Sequence, residues 1–232
     1  MQDFDYEVIR RPRRKTVGIC VKPDQTVQVA IPKRFPLAKV DALVRGKADW
    51  IRRKLAQYQD IQEQYKPKQY VSGETFAYLG RDYRLTVVEG AETPINVRQK
   101  TLQVGIPHDL SPEKRVLSVT KALEAWFREK AQLHLTKRTA WYTARMHVAP
   151  ASVGIKSYRS RWGSCHTDGR IYFNWRIIMA PPSIVDYVVV HELCHLAHHN
   201  HSPDYWRLVE SVMPEYRTAR GWLKQHGHGL EL

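Results

Sequence analysis

Cysteine is scarce in this chain. Its three thiols, Cys20, Cys165 and Cys194, are an odd number and make no disulfide framework, which predicts a reducing compartment, the cytoplasm. No apolar run approaches the roughly 18 residues of a membrane span, and the opening stretch MQDFDYEVIRRPRRK lacks the apolar segment of a secretory signal. Acidic residues are outnumbered: 23 Asp and Glu face 37 Lys and Arg, a formal charge of +14. A surplus of that size points toward polyanions such as nucleic acid, nucleotides or anionic surfaces, although no RNP, helix-turn-helix or finger motif accompanies it.

What is present suffices for a folded protein. At 43% hydrophobic and 26% charged over 232 residues, the chain is excluded from the disordered class and has room for one large or two small domains. The basic surplus is front-loaded. Residues 1–60 hold fourteen Lys and Arg against seven Asp and Glu, half of the whole excess. Arg10, Arg11, Arg13, Arg14 and Lys15 are therefore the candidates for polyanion binding.

Hydropathy patterning predicts an α+β fold. Residues 4–32 read as strands, with a hairpin in which Val17, Ile19 and Val21 and then Val27, Val29 and Ile31 alternate with polar neighbours around Pro23-Asp24-Gln25. From Pro36 to about Tyr65 the period lengthens to that of one long amphipathic helix, with Gly46 its weak spot. Strands return over 69–106, with turns expected at Gly80-Arg81-Asp82 and Gln99-Lys100. Ser111-Pro112-Glu113 starts a helix reaching about Met146, whose buried face takes in Val116, Val119, Leu123, Trp126, Phe127, Leu133 and Leu135.

Thr26–Pro32 matches Thr101–Pro107, and Trp50–Lys54 matches Trp126–Lys130, so residues 26–57 read as repeated at 101–132. The boundary between an N-terminal α+β domain and a C-terminal catalytic domain is expected at 108/109. The N-terminal part combines the β-hairpin, the long helix and a mainly antiparallel sheet. Further on, Thr167-Asp168-Gly169 forms a hairpin turn before a strand over Arg170–Ile178. Ser183 and Asp186 then form a capping box ahead of the next helix.

That helix carries His191-Glu192-Leu193-Cys194-His195. Histidines four apart project from one helix face about 6 Å apart along the axis, a spacing that grips one Zn²⁺ with Glu192 beside it as general base. Ile184, Val185, Val188, Val189 and Leu193 surround it with apolar residues, so the helix is buried and its polar groups need partners. His199, about 12 Å from His191 on a continuous helix, cannot share the ion, and His198 is excluded with it. A third ligand must follow a helix break. Asn200, suited to a left-handed C′ position, and Ser202-Pro203 at the next helix start select His201, with Glu210 and Glu215 as carboxylate alternatives. Met213 and Cys194 read as core residues.

Three histidines would leave one zinc position for water, whose pKa falls to about 7. Tyr158, Arg161 and Tyr205 are candidates for substrate or transition-state contacts, and the strand over Ile171–Trp175 for holding an extended peptide.

Ser160-Arg161-Trp162-Gly163-Ser164-Cys165, Asn174-Trp175-Arg176, the stretch Asp186–His195 and Asn200–Trp206 together resemble the YgjP-like metallopeptidase family, related to SprT-type and other minimal zincins. The resemblance implies a zincin-like C-terminal core, one Zn²⁺ held by His191, His195 and His201, Glu192 as catalytic acid/base, and a polypeptide substrate. His198 stands where the metzincin pattern has glycine, which argues against that branch. SprT-type relatives act on DNA-attached proteins, and a UTP-type nucleotide pyrophosphatase role has been proposed within the family. Both would suit the basic surface, and a DNA-associated protein with a structural zinc is the non-catalytic alternative.

Overall fold

The computed structural model describes residues 4–22, 24–64, 67–90 and 94–232. It divides into two compact units, Met1–Pro67 and Lys68–Leu232, and not at 108/109. The reason is packing: Phe76, Leu85, Leu102, Val104 and Ile106 from the strands after residue 68 share one core with the residues that follow them.

The first unit contains β1 (Glu7–Arg11), β2 (Gly18–Val21) and β3 (Val27–Pro32). The β2–β3 hairpin is antiparallel, with Ile19 opposite Val29, and β1 lies parallel on the other side of β3. Val27, Val29 and Ile31 are buried, as their alternation predicts. A 3₁₀ turn over Leu37–Lys39 leads into α1 (Val40–Arg45) and then α2 (Ala48–Gln64). The single long helix is thus interrupted at Gly46, the residue with the lowest helix propensity in it. There the Lys47 N–H bonds to the Val44 carbonyl in a tightened turn. Val40, Val44 and Ile51 close the core of this unit. Pro23 of the hairpin turn and Tyr65 at the expected helix end lie outside the described residues.

The second unit begins with β4 (Thr75–Tyr78), β5 (Arg81–Gly90), β6 (Asn96–Arg98) and β7 (Thr101–Pro107), in the sheet order β4-β5-β7-β6. The first turn sits at Leu79-Gly80, one residue earlier than expected. Both have positive φ, 49° and 69°, the geometry of a two-residue hairpin turn. Helix α3 (Pro112–Met146) starts as expected, with Ser111 Oγ accepting from the Lys114 N–H. Val116 and Leu133, assigned to its buried face, are exposed at 40% and 61%.

Next come β8 (Ser152–Lys156), β9 (Gly163–Cys165) and β10 (Arg170–Asn174), in the order β8-β10-β9. Strand β10 ends at Asn174, whose side chain accepts from the Arg176 N–H and turns the chain into a 3₁₀ helix over Trp175–Met179. The strand expected to reach Ile178 stops there. Antiparallel pairs predominate, yet each of the three sheets also contains one parallel pair. In each of the two matching segments the strand, β3 in one and β7 in the other, runs between a parallel and an antiparallel neighbour. Gln28 faces Glu7 and Gln103 faces Thr86 at equivalent positions.

The chain ends in α4 (Pro182–Cys194), α5 (Pro203–Val212) and α6 (Tyr216–His226). Helix α4 starts one residue before the anticipated cap. Asp186 is instead gripped by Arg138 of α3 through bonds of 2.6 and 2.7 Å. The β4–β5 turn holds the approach to α4: the Leu79 N–H bonds to the Ile178 carbonyl at 2.8 Å, and a Cβ on Gly80 would lie 2.9 Å from Pro181 Cα. No helix among the described residues is long and apolar enough to cross a membrane.

Candidate metal centre

Helix α4 is buried nearly all round: Ile184, Val185, Val188, Val189, Val190, Leu193 and Cys194 are each at most 5% exposed. His191 and His195 therefore reach their site from inside the core. The helix stops at once after them. The N–H groups of His195, Leu196 and Ala197 bond to carbonyls three residues back, a 3₁₀ tightening common at helix ends. The break thus comes at His195, five residues before Asn200, which is not among the positive-φ residues. The turn returns the chain so that Ser202 caps α5, its Oγ accepting from the Tyr205 N–H. His201 stands just before this cap.

His191, His195 and His201 come together, each offering one nitrogen within 4.8 Å of the others. The Nε2 atoms of His191 and His201 are 3.3 Å apart. Two nitrogens bound at 2.0–2.1 Å to a tetrahedral zinc stand about 3.3–3.4 Å apart, so this pair fits that ion.

The tautomers fit as well. The His195 Nδ1 lies 2.9 Å from the His198 carbonyl oxygen; a carbonyl only accepts, so Nδ1 carries the proton and Nε2 keeps its lone pair. The Tyr205 hydroxyl donates to the His191 carbonyl and lies 2.7 Å from His191 Nδ1. Its single proton is used on the carbonyl, so Nδ1 donates to it and Nε2 is again bare. Burial, then the neighbouring His195 and His201, lower the His191 pKa to about 3. Burial, His195 and Arg220 lower that of His201. Neutral imidazoles are the form that coordinates a metal.

Glu192 is only 4% exposed. Burial raises its pKa to about 8, opposed by the Arg161 guanidinium and a hydrogen bond from the Cys165 backbone N–H. It is seated against β9: a Cβ on Gly163 would fall 2.5 Å from Glu192 Oε1 and 2.6 Å from its Cγ. A cleft of about 260 Å³ opens over His191 and Glu192, walled by Arg161, Trp162, Tyr187 and Arg220.

The remaining candidates take other places. Tyr205 is fully buried and its hydroxyl is committed to His191, so it orients a ligand and does not face substrate. The Tyr158 hydroxyl pairs with Ser164 Oγ at 2.7 Å; Arg161 lines the cleft. His199 is exposed, and His198 contributes its carbonyl. Exposed Glu210 pairs with Arg217 at 3.4 Å, Glu215 is exposed, and Met213 packs at the edge of the core. In the basic N-terminal stretch, Arg10 donates to the Lys33 and Phe35 carbonyls and Arg14 to that of Thr16. Among the described residues this leaves Arg11, Arg13 and Lys15 as the exposed cations of the stretch without such ties.

Residue-by-residue reading missed Arg220 and Trp206. The Arg220 guanidinium lies 4.7 Å from the Trp206 ring centre, and Trp206 stacks on His201 at 5.5 Å. Nothing local marks Arg220. Trp206 and Gly163 are signalled only by the family motifs containing them.

Three imidazoles gathered within 4.8 Å of one another, beside a cleft that presents a buried carboxylate, fit a metal-dependent hydrolase. The chain belongs to the YgjP-like metallopeptidase domain family, whose model matches residues 15–226. Among solved structures it is similar to the metallopeptidase zymogen of Pyrococcus abyssi abylysin, with 21% identity and a TM-score of 0.36, over 39% of this chain and 93% of that one. No curated protein matches it.

Proposed function

We propose that the protein is a zinc metallopeptidase, with His191, His195 and His201 as ligands and Glu192 as general acid/base. The observation that carries this reading is the meeting of the three histidines within 4.8 Å, with the Nδ1 atoms of His195 and His191 engaged by the His198 carbonyl and the Tyr205 hydroxyl so that their Nε2 atoms are left for a metal. Zinc held there supplies a Lewis acid that polarises a carbonyl and acidifies water. Glu192 takes the proton of the attacking water and passes it to the leaving amine. Its raised pKa suits a group that must both accept and return a proton near neutral pH.

The peptide-binding strand is β9 in this proposal. Strand β10, which includes Ile171–Asn174, pairs with β8 and β9 on its two edges and has none left for a substrate. Among the described residues β9 pairs only with β10. Its other edge, where Glu192 already takes the Cys165 N–H, is where this reading places an extended substrate.

The arginines of the cleft favour nucleotide pyrophosphatase as the second reading, while the seated Glu192 disfavours a purely structural zinc in a DNA-associated protein. Zinc-loaded wild type and Glu192→Gln should be compared on unfolded polypeptide, DNA-bound polypeptide and nucleoside triphosphates. The expected result is polypeptide cleavage that falls about 10²–10⁴-fold in the variant. Hydrolysis of triphosphate with no polypeptide cut would replace the peptidase reading, and equal activity would remove Glu192 from the mechanism.

A further inference from the structure

The cleft over Glu192 is not the end of the binding surface. Arg161, Trp162 and Leu223 line it and also line an adjoining cavity of about 280 Å³. This second cavity is walled by Arg159, Arg161 and Arg176, with Tyr158 and Trp162 as aromatic sides and Glu231 as its single acidic wall residue. Arg176 is the most informative of these. Its guanidinium lies 4.6 Å from the Trp175 ring centre, and its Nε is buried with no group among the described residues accepting from it.

Some arginines of this unit are neutralised by carboxylates, among them Arg138 by Asp186, Arg128 by Glu124 and Arg170 by Asp168. No ion pair among the described residues includes Arg159, Arg161 or Arg176. A guanidinium presents a planar fork of donors matched to the two oxygens of a carboxylate. Three such cations against one acid leave a modest surplus, suited to a single carboxylate. A polyphosphate carries more negative charge than that surplus offsets, and it would also face Glu192 and Glu231.

We propose that this cavity is a carboxylate-binding subsite. It selects polypeptides with an acidic side chain, or a C-terminal carboxylate, close to the bond cut. The proposal rests on the peptidase reading, and the wall of Arg161, Trp162 and Leu223 that the two cavities share is what links them: a chain lying along the Glu192 cleft runs on into the second cavity.

The test uses the zinc-loaded full chain and fluorogenic peptides of one sequence, with Glu or Gln walked through the positions beside the cut. Each is made with a free and an amidated C-terminus. Wild type is expected to cleave the best Glu peptide about tenfold or more faster in kcat/KM than its Gln partner. A preference that instead follows the free C-terminus assigns the terminal carboxylate as the source. Arg176→Gln is expected to remove the discrimination, and so is Arg161→Gln, whose exposed position keeps the test independent of folding. Equal cleavage of all the peptides by wild type overturns the proposal, as does discrimination that survives in both variants.

If no peptide is cut, the peptidase reading fails and binding alone judges the subsite. Anisotropy of the labelled peptides on zinc-loaded Glu192→Gln should then show the Glu or free-carboxylate form bound about tenfold tighter. Equal binding rejects the subsite, and so does stronger competition by a nucleoside triphosphate than by the acidic peptide.

Discussion

The Tyr205 hydroxyl lies 2.7 Å from His191 Nδ1 and 3.0 Å from the carbonyl oxygen of the same histidine. One buried side chain thereby sets the ring's tautomer and its rotation. Groups that orient a metal ligand in this way are worth about 10–100-fold in affinity. Tyr205→Phe is expected to weaken zinc binding by that factor, read by competition with a chelator. Wild-type affinity in this variant would mean that packing alone orients His191.

Gly163 and Glu192 form the second such pair. The space a Cβ needs at position 163 is filled by the Glu192 carboxyl and Cγ. Gly163→Ala must push the carboxylate out of place, and misplacing a catalytic group by about 1 Å costs about 10²-fold in rate. The expected variant binds zinc normally and turns over polypeptide about 100-fold more slowly. Full activity would show that Glu192 has room to move without consequence.

The ligand set separates two neighbouring histidines. His201→Ala is expected to lose tight zinc binding, while exposed His199→Ala keeps it, as measured by metal content after dialysis. The reverse result would transfer the third ligand to His199.

Glu192 also makes a pH prediction for the metal-free protein. Its folded pKa is raised from 4.5 to about 8, so between those values the folded state holds a proton that the unfolded state has lost. Stability contributed by that proton is present below pH 4.5 and is lost as pH rises through 8. His191 acts the other way, but only between its folded value of about 3 and its unfolded 6.5. From pH 6.5 to 8 Glu192 therefore acts without that opposition. Denaturant unfolding of the zinc-free chain should lose about 1–2 kcal/mol across this window, and zinc-free Glu192→Gln should lose less. Identical pH slopes would contradict the assignment.

The N-terminal charge is testable by salt. If Arg11, Arg13 and Lys15 contact a polyanion, DNA affinity should fall steeply with ionic strength, as read by anisotropy between low and physiological salt. Salt-independent binding would exclude that role.

The sequence by itself determined whatever depends on neighbours in the chain. Alternation marked β2 and β3, the Ser111-Pro112 cap marked the start of α3, and four-residue spacing put His191 and His195 on one face of an apolar helix. Each of these follows from backbone geometry and local hydrogen bonding. The tertiary structure decided what depends on residues distant in the chain. Helix α4 stops at His195 because the turn beyond it folds back to the Ser202 cap. Tyr205 turns inward because its hydroxyl is needed at His191, and Arg138 takes the Asp186 carboxylate that sequence reading had assigned to a cap. Strands 69–107 fall within the second unit because their apolar faces join its core. Gly163, Arg161, Arg176 and Arg220 meet around one carboxylate and its adjoining cavity from three separate stretches of chain. No spacing rule encodes that meeting, because it results from burying many surfaces at once.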